Sequence, residues 1–266
     1  MRFLVKLISE KPEVIPINYQ YPLSAAIYRI IAKGDADYAN FLHEKGYGKK
    51  FKFFSFSQIT CPFKIEADRL LLQSNELSFQ ITFHLPKAAE SFIKGLFQSE
   101  KLAIADRISK GRFTVQSIET LPSPLESYKE NEITQVVLRP LSPVVASIPN
   151  EKGQHTYLSP KETVFTESLL YNWRSKIAAC YDDTTASNAI LQIALQPIKQ
   201  PFKSRLISIK SGKPEATQIR GWINFKMQVT GERRFIDLLL NAGAGLYNAQ
   251  GMGCVGVVEG NYYKVQ

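Results

Sequence analysis

The run Gly243-Ala244-Gly245-Leu246-Tyr247-Asn248-Ala249-Gln250-Gly251-Met252-Gly253 holds two Gly-apolar-Gly triplets separated by five residues. Only glycine takes a positive φ without steric cost and leaves no side chain in the way, so the backbone here must turn tightly and lie close to something. A nucleotide phosphate is one such neighbour, but both common patterns fail. The dinucleotide fingerprint needs a third Gly where Asn248 stands, and no Lys-Ser or Lys-Thr follows Gly251 as a P-loop requires. The context is inverted as well. Phe235, Ile236, Leu239 and Leu240 mark a helix before the run and a β-like stretch, 254–258, follows it, whereas those motifs run strand, loop, helix. Two readings stay open: a turn between a helix and an edge strand, or a backbone surface offered to a ligand.

Working outward, the chain divides near its middle. Residues 120–135 are rich in Pro, Ser and charge and lack periodicity, as a linker does. The expected division is a first domain over 1–122, a linker over 123–134 and a second domain over 135–266. In the first, a strand (2–8) leads to helices (23–44), two or three strands (51–57, 70–73, 77–83), a helix (87–98) and a closing strand (113–120). In the second, a strand (135–138) precedes a helix (163–179), strands (191–196, 205–210, 219–229), a helix (233–241) and the strand after the glycines. Both orders are βαββαβ with embellishments. The fold class is therefore α+β, a tandem of ferredoxin-like domains with a C-terminal glycine-rich loop over 243–253.

Composition narrows the partner. The 266 residues are 44% apolar, enough for a substantial core, and 33 Lys+Arg against 24 Asp+Glu leave a net charge of +9. Such a surplus favours a polyanion, nucleic acid first and an anionic membrane surface second. The apolar start of the chain is interrupted by Lys6, and no run of 18 apolar residues occurs, so a cytoplasmic protein without a membrane anchor is expected. Cys61, Cys180 and Cys254 lack paired spacing and carboxylates are scattered, so no metal ligand set and no cofactor are expected.

One predicted strand suggests how a nucleic acid would be held. Over 219–229, Arg220, Trp222, Asn224, Lys226 and Gln228 share one face by period two, opposite Ile219, Ile223, Phe225, Met227 and Val229. A sheet face bearing Arg, Lys and an aromatic can neutralise phosphates and stack a base; the alternative is a solvated face with Trp222 buried between domains.

Proton chemistry near neutrality rests on three histidines. His84 ends an apolar strand and His155 lies in a polar loop, so both read as structural or solvated. His43 differs. Tyr38, Phe41 and Leu42 form a helical stripe, and at 100° per residue His43 falls roughly 140° from Tyr38, off the buried face. A basic loop, Gly46-Tyr47-Gly48-Lys49-Lys50-Phe51-Lys52, follows at once and is expected to be mobile. Tyr28, on the flank of the Leu23, Ile27, Ile30, Ile31 stripe, can bring its hydroxyl to the same surface. Scission of RNA without a metal needs a base for the 2′-hydroxyl, an acid for the departing 5′-oxygen and a cation for the phosphorane. Tyr28, His43 and Lys49 are of those types.

The glycine pattern resembles the C-terminal signature of the CRISPR-associated endoribonucleases that cut repeat RNA, members of the repeat-associated mysterious protein superfamily. The order and spacing of Tyr28, His43 and Lys49 are similar, independently, to the Tyr/His/Lys triad of the archaeal-type enzymes. The resemblance implies proton transfer by His43 and Tyr28 and charge stabilisation by Lys49, with Lys50 or Lys52 as alternatives for the lysine. It further implies RNA contacts from the hairpin-tip residues Lys210 and Lys213; Lys50 and Lys52 of the basic loop, the Arg220, Trp222 and Lys226 face, and Gly243, Gly245, Gly251 and Gly253 are the other expected RNA contacts. The implied partner is CRISPR repeat RNA, with other effector-complex subunits or a second copy of the chain as further partners. Two other classes stand beside this: a repeat-RNA-binding subunit that does not cut, and a small-molecule or nucleotide enzyme, which the failed phosphate motifs oppose.

Overall fold

The computed structural model describes residues 1–151, 154–198, 202–209 and 217–264. Alternation decides the first strand: in β1 (Arg2–Ile8), Phe3, Val5 and Leu7 are buried while their neighbours are half-exposed. The first half continues through β2 (Val14–Pro16), α1 (Gln20–Gly34), α2 (Ala36–Glu44), β3 (Phe54–Phe56), β4 (Phe63–Glu66), β5 (Arg69–Leu72), β6 (Glu76–Phe83), α3 (Pro86–Gln98), β7 (Lys101–Ala105) and β8 (Lys110–Thr120). Its antiparallel sheet runs β3-β6-β1-β8-β7.

The second half comprises β9 (Ile133–Pro140), β10 (Ser147–Pro149), β11 (His155–Tyr157), α4 (Thr163–Cys180), α5 (Asp183–Asn188), β12 (Gln192–Pro197), β13 (Ser204–Ile209), β14 (Thr217–Trp222), β15 (Phe225–Glu232), α6 (Arg233–Ala242), a 3-10 turn (Asn248–Gln250) and β16 (Val255–Lys264). Its sheet runs β12-β15-β9-β16. Reduced to β1-α1-β3-β6-α3-β8 and β9-α4-β12-β15-α6-β16, the two halves have one strand order: second, third, first, fourth. That is the tandem ferredoxin-like arrangement expected from the sequence.

The helices expected over 23–44 are α1 and α2, separated where Asp35 leaves helical geometry and its carboxylate accepts the Tyr38 N–H at 2.9 Å, capping α2. Other elements differ from the expectation. Strands β2, β4 and β7 are additions to the expected pattern, and β5, the strand expected over 70–73, pairs with β2 and β4 in a sheet of its own. The stretch 120–135 is packed rather than free: Leu125 is fully buried in the second core, and the Tyr128 carbonyl accepts from Arg233.

The largest correction concerns 219–229. It is two strands in two sheets, since β14 pairs with β13 in a separate hairpin whereas β15 joins the main sheet. The chain changes sheet at Ile223 and Asn224, where the Asn224 carbonyl accepts from Ile198 and its side chain from the Lys203 N–H. Arg220, Trp222 and Lys226 therefore do not share one face. Among the described residues no helix is long and apolar enough to cross a membrane.

The halves are joined through backbone as well as side chains. Gln58 N–H donates to the Leu141 carbonyl at 2.9 Å, Ser24 Oγ to the Ala249 carbonyl at 2.7 Å, and Arg205 to the Ile17 carbonyl at 2.9 Å. Met252 of the glycine loop packs with Ile207, Ile209 and Ile219 of the hairpin in a small third core.

Candidate active site

A cleft of about 790 Å³ lies between the halves. From the first half it is lined by Tyr28 on α1, His43 in the last turn of α2, and Lys49, Lys50, Phe51 and Lys52 just beyond. His43 is exposed, as its helical position predicts, because Leu42 and Tyr38 occupy the buried stripe. The Tyr28 ring meets the His43 imidazole edge to face, with centroids 5.8 Å apart and planes at 87°. Burial, with Phe54 against its other side, pushes the Tyr28 phenol up from its ordinary value. Near neutral pH Tyr28 thus keeps its proton and can act as a donor.

The basic loop, expected to be mobile, is a closed turn. Tyr47 and Phe51 exchange backbone hydrogen bonds of 2.8 and 2.7 Å, Gly48 and Lys50 take positive φ between them, and Gly46 does so just before the turn. A Cβ on Gly48 would stand 2.5 Å from Ala179 Cβ, so the turn is docked on α4 of the other half. Its three lysines are placed differently. Lys49 Nζ donates to the Tyr171 hydroxyl at 2.6 Å and lies 4.6 Å from the ring centroid, on an exposed helical face. Lys52 Nζ donates to the Leu42 carbonyl and, at 3.1 Å, to that of His43, closing the C-terminus of α2 beneath the imidazole. Partial burial and the Lys50 charge lower the Lys52 ammonium. Lys50 is exposed at the tip.

The opposite wall is the glycine loop with α4 behind it. Gly243, Gly245, Gly251 and Gly253 all have φ between 66° and 85°, and Tyr247 joins them at 59°. Gly245 and Gly251 show why no other residue serves: an added Cβ would stand 2.2 Å from the Val145 carbonyl oxygen at the first, and 2.6 Å from Phe56 of the facing half at the second. Behind the loop Lys176 is buried, its Nζ donating to the Gly243 carbonyl at 2.6 Å, Asn248 Oδ1 at 2.7 Å and the Gly245 carbonyl at 3.2 Å. Burial pulls this ammonium down to about 7. His155 also lines the cleft, hydrogen-bonded to Ser147 at 2.8 Å, with its ring 6.2 Å from that of Tyr247.

Tyr28, His43, Lys49, Lys50, Lys52 and Gly245 thus meet in one cleft. Gly243, Gly251 and Gly253 shape the loop behind it. Arg220, Trp222 and Lys226 are not among the lining residues: Arg220 donates to Ser204 Oγ at 2.9 Å on the hairpin, Trp222 Nε1 donates to the Leu158 carbonyl at 2.9 Å, and Lys226 lies half-buried on β15. Lys210 and Lys213 lie outside the described residues. Sequence reasoning missed Lys176, Tyr171 and the placement of His155. A signal for the first existed, since Lys176 stands seven residues after Leu169 on the buried stripe of α4 with Trp173 and Ile177.

Residues 14–119 match the family model for CRISPR-associated protein Cas6, N-terminal, and residues 126–257 match that for CRISPR associated protein Cas6, C-terminal. The chain belongs to the Cas6 family. Among curated relatives, the CRISPR-associated endoribonuclease Cas6 1 of Methanocaldococcus jannaschii is 28% identical over 267 residues, covering 99% of this chain and 95% of the relative. The CRISPR-associated endoribonuclease Cas6 of Pyrococcus furiosus is 26% identical, covering 98% and 91%. A solved structure of a CRISPR associated protein Cas6 superposes with a TM-score of 0.72 at 26% identity, over 97% of this chain and 99% of the other. A Cas6-related protein from Pyrococcus furiosus gives 0.77 at 21% identity over 98% and 99%, a likeness of fold. The paired ferredoxin-like sheets of this chain are thus a Cas6 fold.

Proposed function

We propose that this Cas6-family chain is an endoribonuclease that binds CRISPR precursor RNA and cuts it within the repeats, in the cleft between its halves, to release guide RNA. The observation that carries the reading is the convergence of Tyr28, His43 and Lys49 from one half on the glycine loop of the other. The reaction is transfer within the RNA: the 2′-hydroxyl loses its proton and attacks the adjacent phosphorus, the bond to the 5′-oxygen breaks, and that oxygen takes a proton. One fragment ends in a 2′,3′-cyclic phosphate and the other begins with a 5′-hydroxyl.

His43 is the proton acceptor, because its imidazole is exposed in the cleft beside Tyr28 and is a side chain suited to general base catalysis. Tyr28, kept as a phenol by burial, serves as donor toward the departing oxygen and not as the base. Lys49, once released from the Tyr171 hydroxyl, faces the charge that grows on the phosphorane, and Lys52 holds the His43 turn. Lys50 and the loop glycines belong to the RNA-binding wall, and Arg220, Trp222, Lys226, Lys210 and Lys213 to outlying contacts with a longer RNA. The enzyme acts in the cytoplasm, alone, as a homodimer or with other CRISPR subunits; size-exclusion chromatography with and without RNA separates these.

The test is incubation with repeat RNA in EDTA, followed by analysis of the fragment ends. Cyclic-phosphate products support the proposal, and binding without cutting overturns it. The variant His43→Ala is expected to cut about 10²- to 10⁴-fold more slowly with little change in RNA affinity.

A further inference from the structure

The four loop glycines impose no conformation of their own, because positive φ is merely permitted to glycine and not enforced. Something in the tertiary structure must hold the loop, and one residue has the reach. Lys176 is 1% exposed, although lysine is seldom found fully buried without a partner. An ammonium has three donors, and Lys176 directs all three to the loop, at Gly243, Gly245 and Asn248. Asn248 extends the tie, its Nδ2 donating to the Ala244 carbonyl at 3.1 Å and the Met252 carbonyl at 3.2 Å, so both glycine triplets are linked to one side chain. The same ammonium stands 5.8 Å from the centre of the Phe51 ring, in the turn that carries Lys49 and Lys50. Five residues earlier on α4, Tyr171 holds Lys49 itself.

We propose that Lys176 is a positioning residue: from α4 it fixes the glycine loop against the Phe51 turn, setting the width of the cleft that receives RNA without itself touching the scissile phosphate. Rotation of the loop away from α4 would shift one wall of the cleft away from the RNA while leaving Tyr28 and His43, on the other half, in place; losing contacts made equally to bound RNA and to the transition state raises KM and leaves kcat. This inference rests on the reading of the cleft as the site of RNA cutting.

The test compares the full-length protein with Lys176→Met and with Asn248→Ala, which leaves the lysine but removes its bridge to Ala244 and Met252. Cleavage of repeat RNA is expected to show KM raised about 10- to 100-fold in Lys176→Met, the equivalent of one or two lost hydrogen bonds to RNA, and by a smaller factor in Asn248→Ala, with kcat within a few-fold of the parent. His43→Ala gives the opposite split. Combining Lys176→Met with Asn248→Ala is expected to add little to the first substitution, since both act through one network. Amide hydrogen exchange over 243–253, measured without RNA, is expected to rise in both variants while β9 stays protected. Unchanged KM in both variants overturns the proposal. If Lys176→Met does not fold, unchanged KM in Asn248→Ala overturns it alone. Should the parent protein neither bind nor cut repeat RNA while loop exchange still rises, the cutting reading fails and Lys176 is a stabiliser of the loop only.

Discussion

Replacing Gly245 by Ala adds one methyl group at the point where the glycine loop passes the chain of β9's successor segment, and the structure sets the cost. With φ at +68°, an L side chain carries a left-handed penalty of about 1–2 kcal/mol. The new Cβ would lie 2.2 Å from the Val145 carbonyl oxygen and 3.1 Å from Leu169 Cδ2. The first is backbone and cannot rotate aside, so the loop must move outward, a strain of about 1–3 kcal/mol. That movement draws the Leu246 N–H from the same carbonyl, now 3.0 Å away, which removes a further ~1 kcal/mol. A loss of roughly 3–6 kcal/mol follows, a large share of the ~5–15 kcal/mol that holds an ordinary domain. Urea unfolding followed by circular dichroism is the assay, with Gly256→Ala as reference. Gly256 has ordinary φ, and its added Cβ meets only the movable side chain of Leu141, at 3.0 Å. If Gly245→Ala unfolds at the same urea concentration as Gly256→Ala, the loop is not constrained as described.

Burial, followed by the nearby N-terminal charge, lowers His84 to about 4. Its unfolded value is higher, so the stability it contributes is present above pH ~6.5 and is lost as pH falls through about 4, by up to ~3 kcal/mol; His84→Gln should flatten the fall in unfolding midpoint over that window. Tyr171→Phe removes the hydroxyl that holds Lys49 and is expected to change cleavage less than 10-fold, while Lys49→Ala slows it more than Lys50→Ala; equal losses from both lysine variants in single-turnover assays would refute a distinct role for Lys49. Binding of repeat RNA should weaken with salt, log K falling by about 0.7 per phosphate neutralised, and Lys50→Ala should lower that slope by about one contact in filter binding. A slope that does not change excludes Lys50 from the phosphate path.

Much of the architecture was legible in the chain because it depends on local periodicity. Alternation in β1, the stripe of α6 and the order of elements in each half require only neighbours two to four residues apart, and the glycine run declares its backbone need outright. The exposure of His43 was legible for the same reason, from its angle to Tyr38 around one helix. Other features depended on partners remote in the chain. The strand pattern over 219–229 keeps perfect alternation through a point where the backbone leaves one sheet for another, since period two specifies faces and not which sheet the strand joins. Burial of the Tyr28 hydroxyl, the docking of the Lys49 turn on Ala179, and the grip of Lys176 on carbonyls 67 and 69 residues away belong to the tertiary structure alone. The residue types in the sequence supplied an imidazole, a phenol, lysines and a pliant loop; packing the two halves together decided which proton each can carry, which lysine is engaged where, and how the loop is held, because burial and hydrogen-bond geometry are set by groups that meet only in the folded chain.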